Sequence, residues 1–398
     1  MPSRLTRYIL VEILKIFVVA LVALTLLILL IGVARELLRK GLGPTAVLQL
    51  LPYLLPISLQ FAFPATALFS VCCVYGRMAA DGEVATVKAT GISPLRMLKP
   101  AIIFAALLSP IAVCLSDLSV SWGRPGVNRV VMLSLEDIVY RVLNAQHSYT
   151  SEHGFSIHVR EVEGHTLIHP TVTVHNSGDN GPMKVSAREG ELRLDPETQT
   201  LLLRVVDSKI EGGSGFQGIL PGETETRLTL AGAITNRDVS ERSPSELPLR
   251  LIRNERIQQD ARTHAAIGQL AAHTGFSLLT SRPEDIAGPG GQQIAASYKN
   301  GQRRLRRLRT EPWRRWAEGF SCFFFVLVGA PLAMIAKTSD YWTSFGLCFL
   351  PTLLIYYPLF IFGLEQAKDG IVPPYGVWIG NVILAVIGIS LVARVRRY

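Results

Sequence analysis

Apolar residues in this chain fall in long uninterrupted runs toward both ends and in short alternating runs between them. The clearest run, Ile16 to Ala34 (IFVVALVALTLLILLIGVA), carries no charge and matches the roughly 20 residues that cross ~30 Å of hydrocarbon as a helix. It is too long and too poor in small-residue cleavage signals for a signal peptide, so it reads as a retained first span. Comparable runs predict spans at about 14 to 38, 48 to 76 and 99 to 117, then at about 317 to 337, 342 to 364 and 373 to 394. The second run contains Pro52, Pro56 and Pro64. Each removes a backbone donor, which predicts a bent helix lining a cavity.

Between the two sets of spans the period changes to two. SIHVREV, TLIHPTVTVH, MKVSAREGELRL, TLLLRVVDSKI and TRLTLAGAI are rich in Val, Thr, Ile and Leu and are separated by HNSGDNGP, DPET and EGGSG. This is the signature of short strands joined by turns, with DPET as the clearest hairpin. It predicts a small sandwich or jelly roll over 121–247. From 248 to 312 the pattern changes again: Arg250 to Gln269 looks helical, EDIAGPGGQQ reads as a Gly/Pro linker, and RRLRRLR follows at Arg303 to Arg309. The expected organisation is therefore an α-helical integral membrane protein. Spans 1–3 lie in 1–120, a β domain and a helical, Arg-rich linker follow, and spans 4–6 lie in 313–398.

Composition narrows the function. With 49% hydrophobic residues and a net charge of +9, the basic residues cluster beside the apolar runs, where anionic lipid is a nearer partner than nucleic acid. Counting Lys and Arg in short loops assigns Arg4, Arg7, Lys15, Arg77, Lys88, Arg96, Lys99, Lys337, Arg394, Arg396 and Arg397 to one side. Only Arg35, Arg39, Lys40 and Lys368 fall in the short loops of the other. Both termini are then cytoplasmic and the long middle faces outward. The five cysteines all lie in apolar spans without a CxxC spacing and read as inert buried thiols. His165 and His169 are four residues apart, but strand-like sequence and Pro170 argue against a helical metal pair.

Chemistry-bearing motifs are missing. No GxxxxGK[ST], GxSxG or HExxH occurs, so the chain is expected to be neither an ATPase nor another enzyme, and to bind no cofactor of its own. The centres of the six spans carry no Asp, Glu, Lys or Arg, which disfavours an intrinsic ion pump. Energy then has to arrive from a separate protein. The segment Gly76 to Pro100 offers the route: Arg77 to Thr90 can form a short cytoplasmic helix carrying Arg77, Asp81, Glu83 and Lys88, ended by Gly91 and Pro94. It reads as a docking helix for an ATPase, against the plainer reading of a solvated loop. At the outer end of the first span, Arg35, Arg39 and Lys40 either complement the helix macrodipole or clamp lipid phosphates. Arg314 and Arg315, flanked by Trp313 and Trp316, likewise suit a solvated juxtamembrane helix or a surface for lipid phosphates.

On RYILVEILKIF, PATAL, GRMAADGEVATVKATGISPLRMLKP, APLAM and GIVPPYGVWIGNVILAVIGISLVARVRR, the chain resembles the lipopolysaccharide-export permease family LptF/LptG (YjgP/YjgQ), and is slightly more similar to LptF. The resemblance implies six membrane helices split by a periplasmic jelly roll, in the bacterial inner membrane. It also implies pairing with a second permease subunit on an LptB-like ATPase dimer that uses ATP and Mg, and delivery of lipopolysaccharide to an LptC/LptA-like periplasmic bridge. On that template Glu83 matches the acidic residue of the coupling helix, and Arg35 falls where basic residues meet lipid phosphates, with Arg39 and Lys40 adjoining. The segment 248–312 is longer than the family's usual linker, and Lys337 stands where Arg is common. A competing expectation is a mechanotransmitting or sensory membrane protein that drives a periplasmic partner without passing lipid.

Overall fold

The computed structural model describes residues 4–40, 44–133, 139–140, 142–144, 147–150, 155–164, 166–174, 183–195, 200–211, 217–228, 242–336 and 341–397. The expected DPET turn and Lys337 lie outside them. In chain order the helices before the sheet are α1 (Arg4–Lys40), α2 (Pro44–Ala80), α3 (Glu83–Ala89), α4 (Pro94–Leu118) and α5 (Arg124–Leu133). A π-helical turn, Ser119–Gly123, joins α4 to α5. The strands are β1 (Ser148–Thr150), β2 (Phe155–His158), β3 (Glu161–Glu163), β4 (Thr166–Ile168), β5 (Thr171–Val174), β6 (Met183–Ser186), β7 (Glu189–Asp195), β8 (Thr200–Glu211) and β9 (Gln217–Leu228). After them come α6 (Leu249–Leu279), α7 (Glu284–Ala287), α8 (Pro289–Ala336), α9 (Tyr341–Asp369) and α10 (Ile379–Arg397). Six of these helical segments are long and apolar enough to cross a membrane.

The chain divides into two compact units, one of Met1–Leu29, Leu55–Gly123 and Val239–Tyr398, the other of Leu30–Leu54 and Arg124–Asp238. In the first, α2 and α8 are central, each with 61% of its most apolar stretch buried, against 11% for α1. They pack around Phe63, Leu68, Val71, Met97, Ala105, Phe325, Val326 and Tyr356. Small residues allow the close approach that membrane helices use in place of a hydrophobic drive. A β-carbon on Gly319 of α8 would lie 2.3 Å from Val113 Cγ2 and 2.9 Å from the Val113 backbone nitrogen. α2 runs unbroken through Pro52, Pro56 and Pro64. Cys72, Cys73, Cys322 and Cys348 are buried as expected, but Cys114 is exposed, because it sits on the flank of α4 turned away from the packed helices.

The other unit holds an antiparallel sheet in the order β1-β2-β5-β6-β8-β7-β4-β3, with β9 also paired to β8. β8 is long enough to pair β7 through its first half, β6 through its end and β9 along its length. Its register shifts between Val206 and Ser208, where Asp207 has φ 52° and accepts a bond from Gly222 N–H at 3.1 Å. One face buries Ile157, Leu167, Val172, Leu192 and Val205 together with Val139, Tyr140 and Leu143. The Tyr140 hydroxyl both accepts from Leu192 N–H, at 2.8 Å, and donates to Leu192 C=O.

The segment expected to be a helical, Arg-rich linker forms a helical hairpin in the first unit, and its Gly/Pro stretch is helical too. α6 is 31 residues, ~46 Å, and α8 is 48 residues, ~72 Å, so α8 far outruns the bilayer. α6 packs antiparallel on the outer part of α8, with Gln259 reaching Gly301 C=O and Glu255 meeting Arg304 at 3.2 Å. The buried positions Ile252, Glu255, Gln259, Thr263 and Ser277 fall at helical spacing but are mostly polar. Their polarity kept the seam hidden from a hydrophobicity reading.

Candidate functional site

Two polar constructions interrupt the apolar helices. The first begins where α2 ends. Asp81 N–H bonds to Arg77 C=O at 2.9 Å and Gly82 takes φ 74°, a conformation that costs a glycine nothing and so stops the helix. α3 therefore runs Glu83–Ala89, shorter than the expected 77 to 90. Its end is a Schellman motif: Gly91 N–H bonds to Lys88 C=O at 2.9 Å and Ile92 N–H to Val87 C=O at 3.4 Å, with Gly91 at φ 79°. Glu83 in the first turn and Lys88 in the last complement the helix dipole.

Arg77 stays in the last turn of α2, apart from the short helix. Its guanidinium meets Glu12 of α1 at 3.4 Å, and Lys15 meets the same carboxylate at 3.8 Å. Arg77 thus braces α2 against α1. Nearby, the buried Tyr75 hydroxyl donates to Met97 C=O and ties the end of α2 to the start of α4. Val84 and Val87 of α3 pack on the membrane core. Asp81 is exposed, Glu83 and Lys88 are half-buried, and none of the three forms an ion pair among the described residues. The result is a short rigid helix, anchored by valines and bracketed by αL glycines, that leaves its charged groups available.

The second construction gathers residues that are distant in sequence. Arg315 is 0% exposed: Nη1 donates to Asp117 Oδ1 at 2.9 Å, Nε to Glu311 Oε1 at 3.2 Å and Nη2 to Leu247 C=O at 2.6 Å. Asp117 Oδ1 also accepts from Leu249 N–H at 2.8 Å, so an acid at the end of α4 caps the start of α6, where Pro248 has no side chain to do so. Arg314 forks onto Glu311 and also bonds to Glu318. Arg314 and Arg315, the candidates for lipid-phosphate contact, both donate to internal carboxylates, and Arg315 also to Leu247 C=O, because burial of a guanidinium requires a partner for its N–H groups. Two residues further along α8, buried Asn381 of α10 donates to Ala317 C=O at 3.0 Å, a cross-helix bond in an apolar setting. Asp117 and Glu311 gave no sequence signal beyond being polar at the edges of apolar runs, and Asn381 none beyond being a lone amide within one.

Of the remaining expected cations, Arg35 is exposed on α1, and Arg39 and Lys40 occupy the last turn of that helix. All three fall in the unit that contains the sheet, whereas Arg314 and Arg315 fall in the other.

Comparison with curated protein sequences returns no match. The model of one family, however, covers residues 7–394, which takes in all six apolar helices, the sheet and the hairpin together. The chain accordingly belongs to the LptF/LptG family of lipopolysaccharide export system permeases.

Proposed function

We propose that this transmembrane permease subunit is driven by a separate, LptB-like ATPase dimer docking on α3, and that its helices move lipopolysaccharide, or a related anionic glycolipid, out of the inner membrane. The observation that carries this reading is α3 itself. Its valines join the core shared by α2, α4 and α8, while Asp81, Glu83 and Lys88 remain unpaired. A push on those charges is transmitted to the spans because α3 is too short and too firmly capped to absorb it. Both termini and α3 face the cytoplasm, and the sheet faces the periplasm as a jelly-roll-like receiver that passes lipid to an LptC/LptA-like bridge. A second permease subunit of the same family completes the lipid path, and Arg35, Arg39 and Lys40 of α1 hold lipid phosphates. ATP and Mg are bound by the ATPase alone.

Glu83→Lys reverses a charge that forms no ion pair among the described residues. The variant is expected to insert in the membrane at the wild-type level and to lose co-purification of the ATPase by at least about tenfold, the effect of ~1.4 kcal/mol. Undiminished co-purification would overturn the docking assignment.

A further inference from the structure

The hairpin of α6 and outer α8 carries more positive charge than its own contacts consume. Residues 249–312 hold eleven Arg and Lys against five Asp and Glu. Arg262 and Arg304 meet Glu255, Arg309 meets Asp260 at 3.4 Å, and Arg306 donates to Asp369 C=O at the end of α9. Arg250, Arg253, Arg256, Arg303 and Arg307 are exposed, and none pairs with a carboxylate among the described residues. Arg256 also lines a shallow cleft with Ile257, Asp260 and Arg309.

Their height along the hairpin is fixed by its register. Trp313 and Trp316 are each 46% exposed, and Trp313 packs edge-on against Tyr375 with ring centroids 6.4 Å apart. This is an aromatic belt of the kind that sits at a membrane–water boundary. From Ala317 inward α8 supplies the roughly 20 residues that cross the hydrocarbon. Arg307 and Arg303 therefore stand ~9 to 15 Å outward of Trp313 at ~1.5 Å per residue. Arg253 and Arg256 stand ~6 to 10 Å above Leu249, which the Asp117 contact holds at the level of Arg315. Arg253, Arg256 and Arg307 lie within about a Debye length, ~8 Å, of that boundary, and Arg303 stands one helical turn further out. Exposed guanidiniums without a carboxylate partner on one short stretch of the hairpin repel one another, and the matching charge available at that height is lipid phosphate.

We propose that the base of the hairpin is a collar that binds the phosphate headgroups of anionic lipids in the leaflet from which α8 emerges. It requires the membrane-spanning helices but not the docking of an ATPase on α3, so the two readings fail separately. Bidentate guanidinium–phosphate contacts steady the foot of a long hairpin and enrich phosphorylated lipids beside α8.

The test uses the full-length protein in nanodiscs of phosphatidylcholine and phosphatidylglycerol, with the lipids retained after detergent exchange counted by native mass spectrometry. Wild type is expected to retain phosphatidylglycerol preferentially, and rising salt should erode the preference. At about a fivefold contribution per near-surface cation, the combined variant Arg253→Gln, Arg256→Gln, Arg303→Gln and Arg307→Gln should lower the preference by at least about tenfold. The matching Arg→Lys variant should keep most of it. Equal retention by wild type and the Gln variant would overturn the collar, and so would a wild-type preference indifferent to salt, a readout that survives if the variant misfolds. Displacement of the lipid by inorganic phosphate alone would also overturn it, since that would make the site one for free anions.

Discussion

Arg315 has a guanidinium wholly enclosed by protein. As one of two arginines between tryptophans it reads as a juxtamembrane cation, yet it is the largest fully buried side chain described. Its guanidinium joins Asp117, Glu311 and the backbone ahead of α6. A buried charge with its partners in place is weak evidence for net stability, but removing one partner strands the others and costs about 3–5 kcal/mol. Arg315→Ala is therefore expected to lower thermal stability in detergent by that order, whereas Arg303→Gln, exposed and unpaired, should change it by less than about 0.5 kcal/mol. Equal melting temperatures for the two variants would remove the distinction between knot and collar.

Among the elements, α3 and the hairpin stand at opposite ends of legibility. The sequence located α3 through Gly91 and Pro94 but placed its start six residues early, because Arg77 continues the helical pattern of α2 and only the αL turn at Gly82 separates them. A β-branched residue at φ 79° is strained, so Gly91→Val should fray α3 and speed amide hydrogen exchange over residues 83 to 90, while exchange in α4 stays unchanged. Protection unaltered over α3 would show that the Schellman end is not what holds it. The hairpin was half legible: helical propensity marked Arg250 to Gln269, but the seam is built from Glu255, Gln259, Thr263 and Gly301, which no apolar period reveals. Beyond the small apolar cluster of Leu247, Ile252 and Leu308 at its base, the seam is polar, and its pairing exists only once α6 lies against α8.

For the molecule as a whole, six apolar helices and a strand-rich middle of the chain are plain from hydropathy and period, because bilayer thickness and strand alternation are one-dimensional constraints. The proposed orientation follows from the distribution of Lys and Arg and is open to direct measurement. A cysteine introduced at Ser281, in the turn of the hairpin, is expected to react with a membrane-impermeant maleimide added from outside, and one at Thr90, beside α3, only after permeabilisation. The reverse pattern would invert the topology, placing α3 out of reach of any cytoplasmic ATPase.

The sequence by itself determined the six apolar helices, the β character of the middle and the family, since each rests on local composition repeated over many residues. Tertiary structure alone decided which cations are spent and which are available. Arg315 and Arg303 are the same side chain within one basic stretch. What separates them is that Asp117 and Leu247, far away in sequence, are brought to the first, whereas no carboxylate among the described residues is brought to the second.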